Sequence, residues 1–175
     1  MHQGQIEKLK LNLILMKNNV ILVDDYFSFY IYNKVMIDKI AVSACLLGVN
    51  CKYNGNNNYN SKIQELIKDK RVYVICPEVF SGLTTPRIPS EIKEGKVINM
   101  EGRDVTPFFE SGKEKTLAFL KENGVNKVIL KDGSPSCGYS FIYDGTFSHK
   151  KVNGMGICAE YLIKNGIEVV LIDEN

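Results

Sequence analysis

The stretch KIAVSACLLGVNC, Lys39 to Cys51, begins as a strand and ends it on a thiol. Ile40 and Val42 favour extended backbone, while Gly48 and Asn50 favour a turn. A structural cysteine would sit within the apolar run. Cys45 instead falls where the run stops and the chain must turn, with Cys51 close behind.

Outward from this strand, short β-rich runs alternate with helix-like segments, the pattern of an α/β domain with a mostly parallel sheet. NSKIQELIKDK (60–70) carries Ile63, Leu66 and Ile67 on one helical face and reads as a crossover helix. RVYVIC (71–76) is continuously apolar, as a strand covered on both faces would be. In EGRDVTPFFESGKEKTLAFLKENG (101–124), Thr106 suits the N-cap, Pro107 the first helical position and Gly124 the C-terminal stop. VNKVILK (125–131) is the next strand, GICAEYLIKNG (156–166) a helix closing at Gly166, and IEVVLID (167–173) a last strand. The expected fold is a single Rossmann-like α/β domain with its site at the C-terminal ends of the strands.

That architecture places the cysteines. Cys45 and Cys76 end the first two strands, and Cys137 lies in LKDGSPSCG just past the third. Ligand sites in open parallel α/β sheets form at that edge. Cys51 follows in the loop after Cys45, whereas Cys158 falls inside the last helix pattern and reads as core.

Composition sets the frame. The chain has 175 residues, 45% of them apolar, enough for one ordinary domain with a real core. The net charge of +2 is mixed along the sequence and argues against a polynucleotide substrate, though not against a local basic rim. No secretory pattern and no apolar run of bilayer length stands out, so the expected location is the cytoplasm, without membrane association. An odd count of five cysteines suits ligands or reactive thiols better than disulfides. Residues 1–35 are rich in Lys, Asn, Ile and Tyr and carry no recognisable site; Met36 stands just before the first strand. The expectation is an extension over 1–35, with translation starting at Met36, and a functional domain over 36–175.

Three cysteines at one sheet edge, each beside Pro77, Pro135 or Gly138 or at a strand end, point to thiolate metal binding. Their spacing is neither a zinc ribbon nor a ferredoxin run. A structural zinc would want four closed ligands, and no histidine is well placed; His149 stands in a polar turn. Three thiolates on an iron–sulfur cluster would leave one iron open, as catalytic sites require. Glu78, two residues beyond Cys76, suits proton transfer or an N-cap, and Ser134 and Ser136 flank Cys137 as hydrogen-bond donors or turn hydroxyls.

At VSACLLGVNCKYNG, VICPEVFSGLTTPRIPSEI, KDGSPSCG and IYDGTFSHKKVNGMGICAEYL, the chain resembles the thiouracil desulfidase family of the TudS type, over residues 37–173. The resemblance implies an enzyme with a 4Fe–4S cluster on Cys45, Cys76 and Cys137, whose open iron takes the substrate sulfur. It implies Glu78 and Ser134 as catalytic side chains, and release of hydrogen sulfide from a thiolated pyrimidine without net redox change. Asn50, Arg87, Ser136 and Asp144 are further candidates for holding the substrate, with Arg87 alternatively paired to Glu91 across its own turn. The sequence departs from the family at Asn54, often Asp, which removes a charge near Cys51. A non-catalytic iron–sulfur or sulfur-binding module is the competing reading. A metal-free thiol nucleophile ranks below it for want of a histidine near the three thiols. Neither the natural form of the substrate, base, nucleoside, nucleotide or RNA, nor the oligomeric state is legible.

Overall fold

The computed structural model describes residues 12–16, 19–23 and 38–170. The chain divides into two units, Met1–Asp38 and Lys39–Asn175. In the first, β1 (Asn12–Met16) and β2 (Asn19–Val23) pair antiparallel. The expected start at Met36 lies outside the described residues, as does the last expected strand beyond residue 170.

The second unit begins with β3 (Lys39–Ser43), one turn of 3-10 helix at Ala44–Leu47, α1 (Lys62–Ile67), β4 (Arg71–Ile75) and α2 (Pro77–Phe80). The hairpin β5 (Ser90–Lys93) and β6 (Lys96–Asn99) follows, then α3 (Thr106–Glu122) and β7 (Lys127–Ile129). A second hairpin, β8 (Phe141–Tyr143) and β9 (Lys151–Asn153), precedes α4 (Ile157–Lys164) and β10 (Glu168–Val169). Four strands form a parallel sheet in the order β10-β7-β3-β4. The α/β class read from the sequence is the observed one.

Alternation along β3 builds the two sides of the core, because successive strand residues face opposite ways. Ala41 packs with Leu117 and Leu120 of α3 and Cys158 and Leu162 of α4, while Ile40 and Val42 pack with Leu46, Ile63 and Ile129. The chain therefore leaves β3 along one face of the sheet, through α1, and returns from β4 along the other, through α3. Strand order reverses between β3 and β7, and in sheets of this kind the crevice at that switch point is where ligands bind.

Several local expectations need correction. β4 is an edge strand, with β3 its sole neighbour among the described residues, and Val74 is 45% exposed, so its apolar run is not covered on both faces. α1 has six residues, fewer than two turns; Ile63 is buried and Ile67 packs beside it, but Leu66 is exposed. Thr106 is the first residue of α3 rather than its N-cap, which is Val105. Its hydroxyl is taken by the backbone N–H of Val97 at 2.9 Å, so it ties the helix start to β6. Gly124, at φ +62, does end the helix as expected. Both hairpins went unread. β5 turns into β6 through Glu94 and Gly95, at φ +51 and +78, the backbone of a type I′ turn in which Glu stands where Asn or Asp would give the signal.

Candidate active site

Each predicted thiol is held by a distinct local device beyond the strand it follows. Cys45 sits two residues past β3 in the 3-10 turn, where its carbonyl accepts the N–H groups of Gly48 (3.3 Å) and Asn58 (2.9 Å). Cys76 caps α2 in extended conformation, and its carbonyl accepts from Phe80 at 2.9 Å. α2 can lie against α3 only because position 112 is glycine: a Cβ there would stand 2.4 Å from the Pro77 carbonyl oxygen.

Cys137 is buried in a loop closed on itself by bare backbone. The Ser134 carbonyl accepts the Gly138 N–H at 2.8 Å, and a Cβ on Gly138 or Gly156 would lie 2.8 Å from that same oxygen. The start of α4 docks onto this loop. Ile157 donates to the Pro135 carbonyl (2.9 Å), and Cys158 and Ala159 both donate to Ser136 (3.0 Å). Those helix N–H groups need partners, and the loop supplies them.

Cys45, Cys51, Cys76 and Cys137 all line one cavity of about 380 Å³ at the sheet's C-terminal edge. Cys51, left open by the sequence, stands beside both Cys45 and Cys76, with one thiol hydrogen that either can accept. Its donation, aided by Asn58 and the Lys131 charge and opposed by burial, lowers Cys45 to about 6. Cys76 is lowered first by the same Cys51 contact, with the Val79 N–H contributing, while Cys51 is raised by being the partner of both. Burial raises Cys137. Cys158, fully buried against α3, is pushed up to about 12 by burial and behaves as core, as read. Among the described residues, no group of three or more His, Cys, Asp or Glu is gathered so as to hold a single metal ion.

Beside the thiols, three side chains form a chain of contacts. Arg87 grips one oxygen of Glu78, Oε2, through Nε (2.8 Å) and Nη2 (2.7 Å). Glu78 Oε1 is left facing the Ser134 hydroxyl at 3.4 Å. Ser134 Oγ in turn accepts the N–H groups of Ser136 (3.0 Å) and Cys137 (3.1 Å), which leaves its own hydrogen directed at Glu78. Arg87 is itself pinned, donating to the Cys51 carbonyl (3.1 Å), the Thr84 carbonyl (3.3 Å) and Thr85 Oγ1 (3.2 Å). The alternative pairing of Arg87 with Glu91 does not occur, because Glu91 accepts instead from the backbone of Gly145 and Phe147.

The remaining candidates scatter. Asn50 is exposed and accepts from Asn57 Nδ2 at 2.7 Å. Ser136 is buried beneath the start of α4, and Asp144 bonds Thr146 and pairs with Lys150 at 3.4 Å. None of these three is among the residues lining the cavity, whereas Arg87 is. His149 lines the cavity too, exposed and edge-on to Tyr143, so the thiols do share their cavity with a histidine. Asn54, the departure from the family, accepts from the Asn56 N–H at 3.1 Å and stays in its own turn.

Sequence reasoning missed Asp132. Its Oδ1 accepts four backbone N–H groups, from Gly133 (2.9 Å), Tyr139 (3.0 Å), Ser140 (3.2 Å) and Phe141 (3.3 Å), and Oδ2 accepts the Ser140 hydroxyl. Burial works against its charge, yet the Ser140 hydroxyl and these N–H groups prevail and hold it below the usual carboxylate range. The Asp-Gly pair opening DGSPSCG was the available signal for a carboxylate organising the turn.

The sequence model of the family described as 2-thiouracil desulfurase matches residues 40–174. YbbK of Bacillus subtilis (strain 168), named as an uncharacterized protein, is 43% identical over 145 residues, covering 77% of this chain and 96% of its own. A solved structure of TudS, titled a 4Fe–4S-dependent thiouracil desulfidase, superposes with a TM-score of 0.70 at 39% identity. The match covers 75% of this chain and 89% of that one.

Proposed function

The chain belongs to the 2-thiouracil desulfurase family, and from that premise we propose that it hydrolyses the carbon–sulfur bond of a thiolated pyrimidine at a 4Fe–4S cluster held by Cys45, Cys76 and Cys137. The substrate gains the oxygen of water and loses sulfur as hydrogen sulfide, with no electron gained or lost. The observation that carries the reading is the junction of Glu78 with Ser134 in the cavity that holds the thiols.

The donor set fits the cluster. A structural zinc closes four ligands about one centre at about 2.3 Å, and among the described residues no set of His, Cys, Asp or Glu is gathered for a single ion. Three thiolates from the cavity lining would hold a cubane and leave one iron open. One thiol arrives from beyond each of β3, β4 and β7, and lowered Cys45 and Cys76 are readily available as thiolates. When bound, the cluster supplies a soft Lewis acid that prefers a thiocarbonyl sulfur to an oxygen.

The protein's own groups account for the protons. With Oε2 fixed by Arg87, Glu78 Oε1 is the basic atom that faces the reaction, and it takes a proton from the water attacking the ring carbon. Once Oε1 is protonated, the Ser134 hydroxyl turns its own hydrogen to the departing sulfur and takes the proton from Glu78 in its place. The same relay carries the second proton, released from the added hydroxyl as the ring carbonyl forms. Both protons of the water thus leave as H2S, and Glu78 and Ser134 return to their starting states. A carrier module would need the thiols but no such pair.

The test is turnover. Protein reconstituted with iron and sulfide under nitrogen is expected to convert 2-thiouracil to uracil and sulfide in equal amounts, with no reductant or oxidant added. An iron-loaded protein that releases neither product would favour the carrier reading.

A further inference from the structure

Phe147 holds its backbone at φ +57. For a bulky residue that region is strained, and such strain persists only where the surroundings enforce it. Here they do so three times over. Glu91 Oε2, on β5, accepts the N–H of Gly145 and the N–H of Phe147, each at 3.0 Å. Asp144 Oδ1 accepts the Thr146 N–H at 3.0 Å. Gly145, at φ +84, is wedged against β5 so closely that a Cβ would lie 2.8 Å from the Ile92 carbonyl oxygen.

What this loop presents is a phenyl ring. Phe147 lines the same cavity as the four thiols, Glu78 and Ser134. Tyr143, also in the lining, has its ring engaged edge-on by Phe141 and His149. Phe147, half-buried, makes no ring contact among the described residues. A strained, doubly anchored aromatic with no aromatic or cationic partner among the described residues, set in this cavity, is suited to a flat ligand.

We propose that Phe147 is the platform on which the planar ring of the substrate stacks, and that Glu91 is the positioning residue that holds the platform in place. This rests on the reading of the cavity as the thiolated-base site. It makes recognition depend on the face of a heteroaromatic ring, so the preferred class is flat cyclic thiocarbonyls over acyclic thioamides. Aromatic stacking on a base is tolerant of ring substituents, because every such ring has a π-face.

The experiment measures KM and kcat for 2-thiouracil, together with direct binding of uracil by ligand-observed NMR, in the reconstituted wild type, Phe147→Leu, Phe147→Tyr and Glu91→Ala. Leu keeps apolar volume and the same backbone penalty but lacks the π-face. The expected result is a KM about tenfold higher in Phe147→Leu with kcat within twofold, parallel loss of uracil binding, and near wild-type values in Phe147→Tyr. Glu91→Ala should shift KM in the same direction. An active wild type whose KM is unmoved by Phe147→Leu, or equal impairment in Leu and Tyr variants, would overturn the proposal. A wild type that binds uracil through Phe147 but turns nothing over would leave the platform standing and remove the desulfidase reading. One that neither binds nor reacts would remove both.

Discussion

Replacing Glu78 by Gln is expected to lower kcat for 2-thiouracil by about 10²–10⁴-fold, the contribution typical of a positioned proton-transfer group, while bound iron stays at the wild-type level. The amide preserves the shape and most of the contacts. Its oxygen can face Arg87 where Glu78 Oε2 sits, at 2.7–2.8 Å, and its nitrogen can face Ser134 Oγ. What it cannot do is accept a proton from water. Iron and labile-sulfide content, measured beside kcat, separates this from a failed site. Loss of both together would mean that Glu78 supports the thiols rather than the reaction.

Asp132→Ala is expected to produce the largest loss of stability. A buried N–H left without an acceptor costs about 1–3 kcal/mol; this carboxylate serves four part-buried N–H groups of the turn around Cys137, for which the low end of that range applies. A loss of at least about 3 kcal/mol follows, lowering Tm by about 6–12 °C for a chain of this size. Asp132→Asn keeps one acceptor oxygen and should lose less. The pH dependence has a definite sign. Asp132 is held below its ordinary value in the folded protein, so its stabilisation is fully present above the unfolded value of about 3.9 and is lost as pH falls through the lower folded value. The Tm gap between wild type and Asp132→Ala should therefore be constant from pH 6 to 8 and narrow below about pH 4. A gap that does not narrow in acid would mean the turn is held by something other than this carboxylate's charge.

The large features of the fold could be read because they rest on periodicity and on chain breakers. The run from Lys39 to Ser43 alternates its burial partners as a central parallel strand must, and Pro107 near the start with Gly124 past the end marked out α3. Thiols at the sheet's C-terminal edge followed from strand ends alone. What could not be read depends on which side chain meets which across long separations. Glu78 and Ser134 are 56 residues apart, and nothing local distinguishes Arg87 bound to Glu78 from Arg87 bound to Glu91. The two hairpins of the second unit are short and half-exposed; Glu94-Gly95 makes the first turn, and Asp144-Gly145 in the second opens a long connection instead of a two-residue turn. Leu66 and Val74 look like core by type and are exposed by topology, one on a helix too short to bury it and one on the sheet's edge. Asp132 hid as an ordinary turn aspartate, its weight visible only once four N–H groups were seen to converge on it.

The measurement that tests the central claim most directly is a count of iron and labile sulfide in protein purified and reconstituted without oxygen, beside a variant in which Cys45, Cys76 and Cys137 are all replaced by Ala. About four of each per chain, as a cubane requires, and their loss from the variant, is the predicted result. Zinc alone in the wild type, or iron that the triple variant retains, would contradict it.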